Sequence, residues 1–121
     1  MAFYLARIKL SQQFINALVE RPEDRFVKTT KFLKDIGGRL HYYFFTFGEH
    51  DIVLIYELPD NVTAASLSMV FCAAGTAAEM ETTPLLTMEE AIGAMRLAND
   101  TVRAYQPPGR PASAGKKKKS R

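Results

Sequence analysis

The chain has one cysteine, Cys72, and no tryptophan among its 121 residues. A lone cysteine excludes an internal disulfide framework, and a reducing, cytoplasmic setting is the expectation that follows. No apolar run approaches the ~20 residues that a membrane-spanning helix needs. The N-terminus shows no basic leader, apolar h-region or small-residue cleavage site, so no secretory signal is expected. HxH, HExxH and paired cysteines are also missing. Neither a metal nor a cofactor is therefore expected, since a metal site would have to draw ligands from distant segments. Gly37-Gly38 lacks the Lys-Ser/Thr of a phosphate loop and ends a helical pattern instead of starting one.

Basic charge is scarce where it would matter. The formal net charge is +3, yet six of the 16 basic residues (Arg110, Lys116, Lys117, Lys118, Lys119 and Arg121) follow Gly109 with no acid among them. The first 109 residues therefore carry 10 basic and 13 acidic side chains, a net of −3. A nucleic-acid-binding domain clusters Lys and Arg on a folded face, and this one does not. Composition places one domain at 1–105 and a disordered basic tail at 106–121. Such a tail binds nucleic acid or acidic lipid weakly and in a salt-sensitive way; a solubilising role is the plainer expectation.

What the chain does have is 47% apolar residues, enough for a globular core, in patterns that alternate between strand and helix. Residues 2–10 put Tyr4, Ala6, Ile8 and Leu10 on one face and Arg7 and Lys9 on the other, which predicts a strand. A short helix around Phe14, Ala17 and Leu18 follows. Pro22 suits the first turn of the next helix, whose buried face would carry Phe26, Leu33 and Ile36 and which Gly37 would stop. Residues 39–47 and 51–58 predict two strands joined by FGEHD. Asp60 caps a helix that ends at Gly75, and residues 76–86 form a weaker fourth strand. Thr87 and Glu90 form a capping box for a last helix with an apolar stripe of Ala91, Ala94, Met95, Ala98, Val102 and Tyr105.

The order β-α-β-β-α-β predicts an α+β, ferredoxin-like fold: an antiparallel sheet with helices on one face, plus an extra C-terminal helix. Both central strands are apolar on both faces. Tyr42 and Phe44 oppose Tyr43, Phe45 and Phe47, and Ile52, Leu54 and Tyr56 oppose Val53 and Ile55. Helices cover only one face, so a second copy is the natural cover for the other. Tyr43 and Phe45 are expected on that open side. A homodimer or higher homo-oligomer is the predicted partner arrangement.

The segments Gly37-Gly38-Arg39-Leu40, Thr46-Phe47-Gly48-Glu49-His50-Asp51-Ile52-Val53 and Glu57-Leu58-Pro59-Asp60, followed by Ala74-Gly75 and Thr82, resemble the GYD-domain family from about Phe3 to Glu90. That family is named for a Gly-Tyr-Asp pattern at the hairpin between the second and third strands. One departure stands out: the family's usual tyrosine is His50 here, so no role of a tyrosine hydroxyl is carried over. The resemblance implies a dimeric α/β-barrel type of fold, a group that includes small oxygenases, haem proteins and sensors. Activity is not inherited from a fold.

The densest polar cluster is Glu49, His50 and Asp51. His50 is a candidate general base, and the three are candidate ligand-binding residues. Neighbours in an extended segment point to opposite faces, so Glu49 and Asp51 can share a side that His50 does not. In the plainer reading Gly48 turns the hairpin, Asp51 caps it and His50 is left exposed. Arg39 and His41 are further ligand-binding candidates; His41 is placed on a face with Arg39 and Tyr43, where packing competes with binding. Glu57, on an otherwise apolar strand, needs a partner, and Arg7 or Arg39 is expected to supply it. Cys72 reads as a small core hydrophobe and not as a nucleophile. The aromatic run Tyr42–Phe47 lacks interleaved basic residues, which favours packing over stacking on bases.

The preferred function is a small-ligand-binding or interaction module acting as a homo-oligomer, and not an enzyme. The alternative is a cofactor-independent oxygenase or isomerase using His50, Glu57 and Tyr56 as proton-handling groups. It requires at least two of these to converge on one pocket.

Overall fold

A computed structural model describes residues 1–109. The basic tail expected from residue 106 lies, from Arg110 onward, outside the described residues. The chain forms two compact units, Met1–Leu85 and a second that begins at Leu86.

The first unit contains β1 (Ala2–Leu10), α1 (Gln12–Glu20), α2 (Arg25–Asp35), β2 (Arg39–Phe45), β3 (Ile52–Leu58), α3 (Asn61–Ala73) and β4 (Ala77–Leu85). The four strands form one antiparallel sheet in the order β2-β3-β1-β4. That is the ferredoxin-like α+β arrangement. Each helix starts where a short polar side chain takes up free N–H groups. Ser11 accepts from Phe14, Asp24 from Phe26 and Val27, and Asp60 from Thr63. Asp24 moves the start of α2 past Pro22, which therefore precedes the cap and is not part of the first turn.

One sheet face is dry. Tyr4, Ala6, Ile8 and Leu10 of β1 share it with Ile52, Leu54, Tyr56 and Leu58 of β3, and all are buried. Thr29 and Leu33 of α2 and Ala64 and Leu67 of α3 supply the buried positions of the covering helices. Phe26, expected on the buried side of α2, is 42% exposed; Thr29 takes that place. Gly37 ends α2 with φ +87° as expected, with Gly37 N–H donating to Lys34 O and Gly38 N–H to Leu33 O. Gly38 runs so close to β3 that a Cβ there would lie 2.5 Å from the Glu57 carbonyl oxygen.

The opposite face carries Phe3, Leu5 and Arg7 of β1 and Val53, Ile55 and Glu57 of β3, as the pairing of β1 with β3 requires. On β2 the register shifts between Leu40 and Tyr42, leaving His41 as an extra residue. The bulge decides which aromatics point where. Tyr43 stands opposite Leu54 on the dry side, and Tyr42 and Phe44 stand opposite Ile55 and Val53 on the open side. The expected placement of Tyr43 and Phe45 on the open side is thus reversed. Tyr43 packs against the core, while Tyr42 and Phe44 are 55% and 56% exposed.

The second unit holds the extra C-terminal helix, α4 (Met88–Thr101), and a 3-10 turn over Val102–Ala104. Thr87 and Glu90 make the capping box in both directions. The apolar stripe of α4 is present, but no residue of the helix is buried.

Candidate functional site

The sequence-selected polar residues fall into three places. On the open sheet face, His41 Nε2 lies 2.7 Å from Glu57 Oε2. A carboxylate only accepts, so Nε2 carries the proton and donates, leaving Nδ1 as the second polar point of the ring. Their side chains are 27% and 18% exposed. The Phe3 ring stacks on the imidazole with centroids 5.4 Å apart. Phe3 stands opposite Glu57 on β1, and Arg39 stands opposite it on β2. Arg39 and His41, two residues apart on β2, share the open face by ordinary alternation, and the extra residue turns Tyr43 away from them to the dry side. Glu57's partner is therefore His41 and not Arg7 or Arg39, and Tyr43 does not share His41's face.

The second place is the other end of the same face. His50 Nε2 lies 3.8 Å from Glu81 Oε2, an electrostatic contact too long for a hydrogen bond. Its side chain is only 16% exposed, so the hairpin does not leave it in solvent. Phe3 and Arg7, the β1 partners of Glu57 and Glu81, are four residues apart along the strand. Glu57 and Glu81 flank β1 on opposite sides, so the two histidines' carboxylate partners are offset by about 13 Å along the strands and about 10 Å across them, roughly 16 Å apart. Glu49 is exposed.

The third place is the helix side of the sheet. Asp51 Oδ2 accepts from Leu10 N–H at 2.8 Å, the backbone N–H of Asp51 donates to Ile8 O, and Thr46 N–H donates to Asp51 O. The Thr46 hydroxyl donates to the His50 carbonyl. Asp51 thus fastens the hairpin to the end of β1, where a second bulge falls between Lys9 and Leu10. Tyr56 is fully buried on the same helix side but toward the other end of the sheet, opposite Tyr4 and stacked on it at 5.9 Å. Burial pushes its hydroxyl up to about 12; the nearby Thr82 hydroxyl lowers it and Tyr4 raises it. Thr82 is spatially close but makes no hydrogen bond of good geometry with Tyr56, whose hydroxyl is left without a partner.

The structure does not bring His50, Glu57 and Tyr56 together. Tyr56 and Glu57 are strand neighbours on opposite faces, and His50 is at the far end of the sheet. Cys72 is exposed on α3, not a core residue: the dry positions of that helix go to Ala64 and Leu67. Among the described residues, no three His, Cys, Asp or Glu side chains are grouped closely enough to hold a metal. No helix among them is long and apolar enough to cross a membrane. Sequence reasoning missed Phe3, whose position opposite Glu57 depends on the pairing of β1 with β3.

The fold and the polar group on its open face define an α+β, ferredoxin-like protein with one dry sheet face and one accessible face that is both aromatic and polar. The model of the GYD domain matches residues 4–95, and the chain belongs to that family. No curated protein and no solved structure matches the chain significantly.

Proposed function

We propose that the protein is a small-ligand-binding module that works as a homo-oligomer, with its ligand held over the open sheet face. The observation that carries this reading is the His41–Glu57 pair, hydrogen-bonded and largely buried on the sheet face that also carries Phe3, Ile55, Tyr42 and Phe44. Burying a carboxylate costs free energy unless it is paired, and an apolar pair at this position would pack a purely structural interface as well or better. Small-molecule sites have this composition: mostly apolar and aromatic lining with a few convergent polar groups. Phe3, Tyr42 and Phe44 provide surface for a flat, partly apolar body. Arg39 and the His41 Nδ1 provide polar contacts at one edge. A second copy's sheet would remove Tyr42 and Phe44 from water and enclose the space between the two faces.

Native mass spectrometry of the protein purified from its own host reports stoichiometry and retained mass together. The expected result is a dimer or larger assembly with a bound small molecule. Glu57→Leu should keep the assembly and lose the molecule. Monomers carrying no additional mass would overturn the reading.

A further inference from the structure

On the helix side of the sheet, a cleft of about 330 Å³ opens between α1, the segment before α2 and the β2–β3 hairpin. Its wall is apolar: Leu10, Ile15, Leu18, Val19 and Phe45 line it. Val19 and Phe45 are 76% and 55% exposed. These are large side chains that gain nothing from water, gathered around one concavity. The volume lies at the lower end of the range of small-molecule sites, about 300–1,000 Å³.

Two carboxylates also line the cleft, Glu23 and Asp51, and they differ in one respect. Glu23 is neutralised: it pairs with Arg25 at 2.7 Å and Lys28 at 3.2 Å, and hydrogen bonds from Arg25 first and Lys28 second hold its pKa below the usual value. Asp51 forms no ion pair among the described residues. One of its oxygens accepts from Leu10 N–H, and its backbone is fixed on both sides by Ile8 and Thr46. A half-buried, rigidly held carboxylate with no cation beside it among the described residues, next to an apolar wall, complements a cation with an apolar body.

We infer that this cleft is a second binding site, separate from the His41–Glu57 face, for a small organic ammonium compound with an aromatic or branched apolar body. The ammonium group donates to the free oxygen of Asp51, and the body lies against Ile15, Leu18, Val19 and Phe45. An anionic compound of the same shape meets Asp51 with like charge and is rejected.

The test titrates the full chain, at millimolar concentration, with 2-phenylethylammonium, 2-phenylethanol and 3-phenylpropionate, following methyl resonances by NMR. The ammonium should shift Ile15, Leu18 and Val19 saturably while leaving Val53 and Ile55 of the open face still. The alcohol should bind about tenfold more weakly or worse, on the scale of a charge-assisted hydrogen bond, and the carboxylate should not bind. Asp51→Asn keeps an acceptor for Leu10 N–H and should weaken ammonium binding about tenfold, for the same reason. Leu18→Lys supplies a competing ammonium from a half-exposed position and should abolish binding. Equal affinity for ammonium and alcohol overturns the proposal, as does unchanged affinity in Asp51→Asn. No saturable shift with the ammonium, or shifts confined to the open face, overturns it as well. The comparison of the three probes on the unaltered chain stands even if Asp51→Asn does not fold. It is also independent of whether the open face binds anything.

Discussion

Phe44→Ala tests the open sheet face most sharply. Phe44 is 56% exposed and stacks on Tyr42 with centroids 5.8 Å apart. A phenylalanine buries about 150–250 Å² when fully covered, so about 100 Å² of this ring remains to be buried. At roughly 25 cal/mol per Å² that is about 2.5 kcal/mol. A two-fold axis counts the ring twice. Truncation in both copies then costs association about 4–5 kcal/mol, or roughly three powers of ten in Kd. The fold itself should lose about 1 kcal/mol or less, the scale of one exposed strand pair. Phe45→Ala is the control: it is 55% exposed but lies on the helix side, opposite Ile52, and should leave association unchanged. Sedimentation velocity over a concentration series reads both variants. The reasoning fails if the unaltered chain is monomeric at micromolar concentration, or if Phe44→Ala associates as well as Phe45→Ala.

Tyr56→Phe should be neutral or stabilising by up to about 1 kcal/mol, because it removes a buried hydroxyl that has no partner. The same residue carries a pH signature: its folded pKa, near 12, lies above its ordinary value of 10.0. Its neutral form is therefore favoured by folding, so its contribution is complete below the unfolded value and is lost as pH rises through the folded one. Denaturant melts in that alkaline window should fall less steeply for Tyr56→Phe; identical slopes would contradict the assignment. Gly38→Ala should destabilise by about 1–3 kcal/mol, since its Cβ would press on the β3 backbone and the neighbouring strand must shift. Urea unfolding measures it, and a neutral result would mean that α2 and β3 separate easily there. Cys72→Ser should stay within about 0.5 kcal/mol of the parent because the side chain is exposed. A large loss would return Cys72 to the core.

The order and kind of the elements are legible along the chain, because each is encoded locally. Alternation in Tyr4-Ala6-Ile8-Leu10 sets a strand and its dry face without reference to any other segment. Asp60, the Thr87/Glu90 box and the left-handed Gly37 fix helix ends through bonds spanning a few residues. The two-sided apolar character of β2 and β3 was equally legible, since it needs only side-chain identity and period. The sense in which β2 faces the sheet was not. A single extra residue at His41 inverts the alternation of everything after it, and a bulge is set by pairing with β3, which no local pattern reports. For the same reason the partner of Glu57 could not be read: His41, Phe3 and Glu57 meet only when three strands are in register. His50 and Asp51 are adjacent in the chain, yet the tertiary structure sends one to Glu81 on the open face and the other to Leu10 beside the helix-side cleft. Adjacency in an extended chain separates side chains, and only the packing of the sheet decides what each one meets.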